Sequence, residues 1–148
     1  MEFWQKIFII GFTAISLIGF ARSLYECKEK KNPYGVTYFY RLFGAFVWAD
    51  LVVFSVFWIL ASLISFALNS WVLFLLFIAL FWVVRSIGET QYWFHQQFST
   101  IQRNPPEKFW FHKIFHNDSV WFVYQIFWQC VTVISSIISL YLAKLWLF

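Results

Sequence analysis

Apolar residues occupy four long stretches of the chain, which short polar and charged segments separate. The stretches cover residues 3–24, 38–68, 71–98 and 119–147. A helix of about 20 residues crosses a hydrocarbon core of about 30 Å, so each stretch is long enough to span a membrane. The stretches are apolar around their whole circumference, whereas a helix of a soluble protein keeps a polar side. The pattern therefore predicts an all-α integral membrane protein, a bundle of four transmembrane helices.

The composition supports this prediction. Of the 148 residues, 61% are hydrophobic, 26% are aromatic and 12% are charged, which is more apolar than a soluble domain of this length can bury. The strands of a transmembrane β-barrel alternate polar and apolar residues, and the four stretches do not. We expect one transmembrane domain over residues 1–148, covered by the lipid bilayer. The first stretch lacks a strongly basic leader and a small-residue cleavage site, so we expect it to be retained.

The basic residues predict the orientation of the chain. The formal net charge of +4 arises from residues between the apolar stretches, so nucleic acid is not an expected partner. Only Lys6 and Lys144 lie at the ends that carry the two termini. The positive-inside rule places loops 25–37 and 99–118 in the cytoplasm and both termini outside. The eight basic residues in or beside these two loops are Arg22, Lys28, Lys30, Lys31, Arg41, Arg103, Lys108 and Lys113.

The connection between spans three and four has its own pattern. It contains Asn104-Pro105-Pro106-Glu107, followed by a run that mixes aromatic and basic residues up to His116. Proline and an acidic residue are typical of the first turn of a helix, and the mixed run is typical of a helix lying in the membrane interface. The sequence therefore predicts a short interfacial helix here.

Four ionisable residues at membrane depth form a candidate site: Asp50, Arg85, Glu89 and Arg41. The two-residue turn at 69–70 makes spans two and three antiparallel neighbours, and counting from it places Asp50, Arg85 and Glu89 at similar depth. Arg85 and Glu89 are four residues apart, a spacing that allows an ion pair on one helix. The set is either a structural ion-pair network or a site for a cation, a proton or a polar headgroup. Its neutral sum favours the network.

Three histidines lie near the predicted cytoplasmic end: His95, His112 and His116. His112 and His116 have the i, i+4 spacing that lets two rings on one helix face bind a metal. A His-Glu-x-x-His motif is absent from the sequence, which favours an amphipathic interfacial role over a metal or haem site. The sequence therefore assigns no cofactor.

The fourth span carries polar and small residues at alternating spacings of four and three. This spacing keeps them on one face of a helix, and in lipid such a face is typical of close helix packing. The alternative is a polar pore wall to which each copy of an oligomer contributes. The residues of this stripe are Gln125, Gln129, Thr132, Ser136 and Ser139.

These features favour a small interaction or accessory subunit of a membrane complex, with a membrane-protein partner or self-association. One alternative is a homo-oligomeric small transporter or channel that uses Asp50 or Glu89 as its acidic group. A second alternative is a membrane enzyme with a polar or histidine site at the cytoplasmic face. No complete catalytic motif is present in the sequence, so an enzyme is the less favoured class.

Overall fold

A computed structural model describes residues 1–100 and 104–148 of the chain. Within these residues the protein is helical, and four helices are long and apolar enough to cross a membrane. They are α1 (Phe3–Lys28), α2 (Trp48–Ala67), α3 (Trp71–Phe98) and α4 (Ser119–Leu147). A helix satisfies its backbone hydrogen bonds internally, as lipid requires. The predicted all-helical architecture is confirmed, and α3 and α4 have the bounds of the predicted third and fourth spans.

The second helix begins later than its apolar pattern predicts. The predicted span covers residues 38–68, whereas Phe39–Phe43 form a 3-10 turn and α2 starts at Trp48. Gly44 ends the turn with a φ of 75°, a left-handed conformation that glycine adopts without strain. Val47 is extended, with φ −129° and ψ 163°. The prediction was wrong here because apolar residues occur in both the turn and the helix, and hydrophobicity does not mark the change of backbone between them.

Hydrogen bonds fold the connection between α1 and α2 into a defined segment. The Thr37 backbone N–H donates to the Phe46 carbonyl oxygen over 2.9 Å, and its hydroxyl donates to the Ala45 carbonyl oxygen over 2.6 Å. Val36 and Val47 form an antiparallel bridge. The 3-10 turn therefore lies inside a closed loop whose two ends are bonded to each other.

The chain forms two compact units, Met1–Phe77 and Ile78–Phe148, and α3 contributes to both. In the first unit, α1 and α2 pack closely because small buried residues line both helices. Small side chains let two helix backbones approach each other in a membrane. The buried small residues are Ser16, Gly19 and Ser23 on α1, and Ser55, Ala61, Ser62 and Ser65 on α2.

Phe12 is the centre of an aromatic cluster in the first unit. Its ring stacks on Phe43 with the ring centroids 4.6 Å apart, and it makes edge contacts with Trp58 and Phe74, each at 5.3 Å. Such pairs contribute about 0.5–1.5 kcal/mol beyond the area that they bury. One side chain therefore connects α1 with the 3-10 turn, with α2 and with the first turn of α3.

In the second unit, α3 and α4 contact each other through polar and aromatic side chains. The Thr132 and Ser86 hydroxyl oxygens lie 2.8 Å apart, and the Gln97 amide donates to the Gln125 side-chain oxygen over 2.7 Å. Interhelical hydrogen bonds of this kind typically contribute about 0.6 kcal/mol each in a membrane. The two helices are therefore held at more than one level along their length.

The predicted short interfacial helix is not formed as one element. The chain makes two 3-10 turns instead, Pro106–Lys108 and Trp110–Lys113. Phe109 separates them in an extended conformation, with φ −105° and ψ 146°. Proline starts the first turn, as expected. The extended Phe109 then interrupts the predicted helix, and its ring contacts α3 and α4 as described below.

Candidate functional site

Arg85 and Glu89 form an ion pair on α3. The Arg85 Nη2 atom lies 2.7 Å from Glu89 Oε1, and the two side chains are 14% and 12% exposed. The other carboxylate oxygen, Oε2, accepts a hydrogen bond from the Trp93 indole over 3.1 Å. A carboxylate with a separate donor on each oxygen is well stabilised where water is scarce. Glu89 therefore has two partners on its own helix, and one of them, Arg85, carries the opposite charge.

Trp93 extends this network into an aromatic cluster around Tyr124. The Trp93 ring stacks on Tyr124 with the ring centroids 4.9 Å apart, and it makes an edge contact with Phe109 at 5.2 Å. Phe109 and Phe111 also contact Tyr124, at 5.1 and 5.3 Å. The connection between α3 and α4 is thus packed onto both helices. The sequence did not predict this cluster, because a run of aromatic and basic residues has the same pattern whether its rings pack against helices or lie in a lipid interface.

Asp50 has a local role that its predicted membrane depth did not suggest. It lies in the first turn of α2, where its Oδ2 atom accepts hydrogen bonds from the backbone N–H groups of Phe46 at 3.1 Å and Val47 at 3.4 Å. A carboxylate there satisfies free donors and interacts favourably with the helix dipole. Asp50 belongs to the first unit, and Arg85 and Glu89 belong to the second. Their common layer stays a prediction.

Arg41, the fourth member of the predicted set, lies in the 3-10 turn before α2. It is exposed, and its guanidinium carbon lies 4.8 Å from the centroid of the Tyr38 ring. A cation over an aromatic face is typically worth about 0.5–1 kcal/mol at an exposed site. The later start of α2 therefore puts Arg41 outside a regular span.

Glu26 is a buried acid that the sequence interpretation missed. The residue is 4% exposed, and its Oε1 atom lies 2.7 Å from Arg22 and 3.0 Å from Lys30. The signal was present, since both basic residues are four positions away on either side of Glu26. They were counted only as indicators of orientation. Arg103, counted with them, lies outside the described residues.

The three histidines are not gathered into one cluster of ligands. The rings of His112 and His116 have centroids 5.9 Å apart, and His95 is exposed beside Phe94. Among residues 1–100 and 104–148, no group of three or more His, Cys, Asp or Glu side chains is placed to hold a metal ion.

Most of the predicted stripe on α4 is satisfied within the second unit. Gln125 and Thr132 contact α3 as described above, and the hydroxyls of Ser136 and Ser139 donate to the carbonyls one turn earlier on α4, each at 2.8 Å. Ser139 is also buried. These residues therefore contribute to packing and to local hydrogen bonding on α4.

Gln129 differs from the rest of the stripe. Its side chain is exposed, and in the part of the chain that the structure describes it has no hydrogen-bond partner. It lies about 15 Å along the axis from Ser119 and about 27 Å from Leu147, which is inside the apolar part of the helix. A primary amide in hydrocarbon without a partner is unfavourable by several kcal/mol, roughly 2–7 depending on the reference state.

An open groove of about 330 Å³ lies between α1 and α2 in the first unit. Its polar hydroxyls are those of Thr13, which donates to the Ile9 carbonyl over 2.7 Å, and Ser62, which is buried without a partner among the described residues. Such walls suit hydrocarbon rather than an ion. The lining residues are Ile9, Ile10, Thr13, Ala14, Leu17, Ser62, Leu63 and Phe66.

Comparison of the chain with protein-family models, with curated proteins and with solved structures finds no match. The function is therefore argued from the residues and contacts described above.

Proposed function

We propose that this protein is an interaction subunit of a membrane protein complex and that α4 is the helix that contacts the partner. The observation that carries the proposal is Gln129, which is exposed and has no hydrogen-bond partner among the described residues, within a helix long and apolar enough to span a membrane. Polar residues within a membrane-spanning segment face protein or water far more often than lipid. A partner chain that offers a donor and an acceptor to Gln129 would remove the unfavourable exposure of its amide.

The ionisable residues support an interaction role over transport. Arg85 and Glu89 neutralise each other at 2.7 Å, and Asp50 accepts hydrogen bonds from the start of α2. A transport acid must exchange protons or ions, whereas these carboxylates have contacts that stabilise the protein itself. We infer that they fix local structure and that the intermolecular function lies on the surface of α4.

The proposal includes the predicted orientation, with both termini outside and loops 25–37 and 99–118 in the cytoplasm. Its support is the basic charge of these loops and of the adjoining helix ends. The connection between α3 and α4 would then lie at the cytoplasmic interface, where aromatic and basic side chains are favourable. Labelling of single cysteines at Lys31 and Lys144 with an impermeant maleimide tests this orientation in intact cells.

Site-specific photo-cross-linking in the native membrane tests the interaction role. We would place a photoreactive residue at Val133, which is exposed one turn from Gln129, and, as the matched control, at Ile138, which is exposed and about 140° away from Val133 on α4. We expect one stoichiometric protein adduct from position 133, with Gln129 intact, and only lipid adducts from position 138. Lipid adducts alone from both positions would contradict the proposal.

The transporter alternative has its own observable. The purified chain, reconstituted in liposomes, is expected to carry no proton or cation flux. Flux that Glu89→Gln abolishes in a folded protein would contradict the proposed function and favour transport by the Arg85–Glu89 site.

A further inference from the structure

We infer that the partner of α4 is a second copy of this chain and that the two α4 helices pair in parallel, with Gln129 hydrogen-bonded to Gln129. This inference rests on the proposed interaction role of α4 and names its partner. The contact surface, called the α4 seam below, consists of Phe122, Ile126, Gln129, Val133, Ser136 and Leu140.

The α4 seam has the spacing of a helix-pairing surface. Its members follow each other at steps of four, three, four, three and four residues, the 3.5-residue repeat by which two helices keep one face in contact. The large apolar members are well exposed: Phe122 52%, Ile126 40%, Val133 60% and Leu140 73%. The seam is thus a line of side chains that project from one face of α4.

The chemistry of the seam is self-complementary. It carries no charge, and its central Gln129 is a primary amide that both donates and accepts hydrogen bonds. Two such amides facing each other satisfy one another, which lipid tails cannot do. A single polar residue in an apolar seam also fixes register, because any shift along the axis separates the two amides.

Membrane insertion determines that the pair is parallel. The basic residues are strongly biased to one side, so all copies insert with the same orientation. In parallel two-fold pairing, each residue of the seam meets its own copy at the same depth, and Gln129 therefore meets Gln129. A different membrane protein would need its own polar residue at that depth.

Disulfide cross-linking in the native membrane tests this pairing without altering Gln129. The full-length chain would carry Cys27→Ser and Cys130→Ser, with one new cysteine at Val133 in the seam or at Ile138 on the other side of α4. Oxidation should join two copies through Val133→Cys and leave Ile138→Cys monomeric. Adding Gln129→Leu should lower the dimer association constant by about three- to eightfold, as expected for loss of one or two interhelical amide hydrogen bonds.

Two variants serve as controls for the role of the amide. Gln129→Asn keeps a self-complementary amide and should retain cross-linking. Gln125→Leu removes a glutamine that already has Gln97 as an intrachain partner, so it should not reduce cross-linking either. Equal cross-linking at positions 133 and 138, or no effect of Gln129→Leu, would overturn the inference.

Photo-cross-linking and disulfide cross-linking in the same native membranes together distinguish failure of this inference from failure of the proposed function. A defined protein adduct from the photoreactive residue at Val133 that is a different polypeptide, with no Val133→Cys dimer, overturns the self-pairing and leaves the interaction role intact. Lipid adducts alone, together with a monomeric mass in native membrane extracts, overturn both.

Discussion

The Trp58 indole donates a hydrogen bond to the carbonyl oxygen of Phe43 over 3.0 Å, and both residues are buried. The bond links the middle of α2 to the last residue of the 3-10 turn. It gives a partner to two buried polar groups that lipid would leave unsatisfied. The chain just before α2 is thereby attached to the helix bundle core of the first unit.

Trp58→Phe is therefore expected to destabilise the protein by about 1–3 kcal/mol, because the Phe43 carbonyl is left buried without its donor. Trp146→Phe is the matched control, since the Trp146 side chain is 43% exposed. We expect the control to change stability by no more than about 0.5 kcal/mol. Reversible unfolding by SDS in mixed micelles measures both, and equal effects would show that the hydrogen bond is not important.

Gly19 and Gly11 lie on the same helix but in different surroundings. A Cβ atom at Gly19 would lie 2.9 Å from Tyr40 Cε1 and 3.5 Å from Leu51 Cδ1, whereas one at Gly11 would have nothing within 4 Å. Gly19→Ala is expected to destabilise the protein by about 1–3 kcal/mol through overpacking. Gly11→Ala should be neutral or stabilising by up to about 1 kcal/mol. The same unfolding measurement compares them.

Tyr40→Leu provides the second half of the Gly19 test. If contact with the tyrosine ring is the cause, Gly19→Ala should be less harmful in the Tyr40→Leu background than in the parent chain. An unchanged penalty would assign the effect to α1 itself rather than to the close approach of the 3-10 turn.

The helices could be predicted from sequence because each is a long, uninterrupted apolar run, as α3 and α4 show by their agreement with the predicted bounds. The start of α2 could not. Apolar residues lie on both sides of Gly44, and the backbone separates the turn from α2 through the left-handed Gly44, with φ 75°, and the extended Val47. The i, i+4 spacing of Arg85 and Glu89 predicted their ion pair, a contact that hydropathy does not predict.

The candidate site was harder to predict, because partners distant in sequence decide what each polar residue does. Gln125 and Gln129 have the same residue type and lie four positions apart on α4. Gln125 bonds Gln97, which is 28 residues earlier, whereas Gln129 is exposed. The periodicity of the sequence placed both residues on one stripe of α4. In the structure, Gln125 faces α3, whereas Gln129 lies on the exposed surface of α4.

Asp50→Ala should destabilise α2 at its first turn. Removing a carboxylate that accepts from backbone N–H groups at a helix start typically lowers the free energy of unfolding by about 0.5–2 kcal/mol. Asp118→Ala is the matched control, because Asp118 precedes α4 without a side-chain capping hydrogen bond. Hydrogen exchange of the Phe46 and Val47 amides should accelerate in the first variant. Unchanged exchange there would contradict the capping role.

Glu89→Gln should reveal whether the ion pair on α3 is structural. The substitution keeps a hydrogen-bond acceptor for Trp93 but removes the negative charge that lies 2.7 Å from Arg85, whose side chain is 14% exposed. We expect a loss of about 1.5–3 kcal/mol of stability, as for a hydrogen bond to a charged group. Glu107→Gln, at an exposed position, should have an effect of no more than about 0.5 kcal/mol.

The double variant Arg85→Met with Glu89→Met completes this test. The double variant removes both charges of this ion pair, so it should be more stable than the sum of the Arg85→Met and Glu89→Met single effects predicts. A coupling energy of about 1 kcal/mol or more would establish that each charge is held by the other. Additive effects would mean that Arg85 and Glu89 act independently, and that result would favour the transport role of Glu89 in the alternative hypothesis.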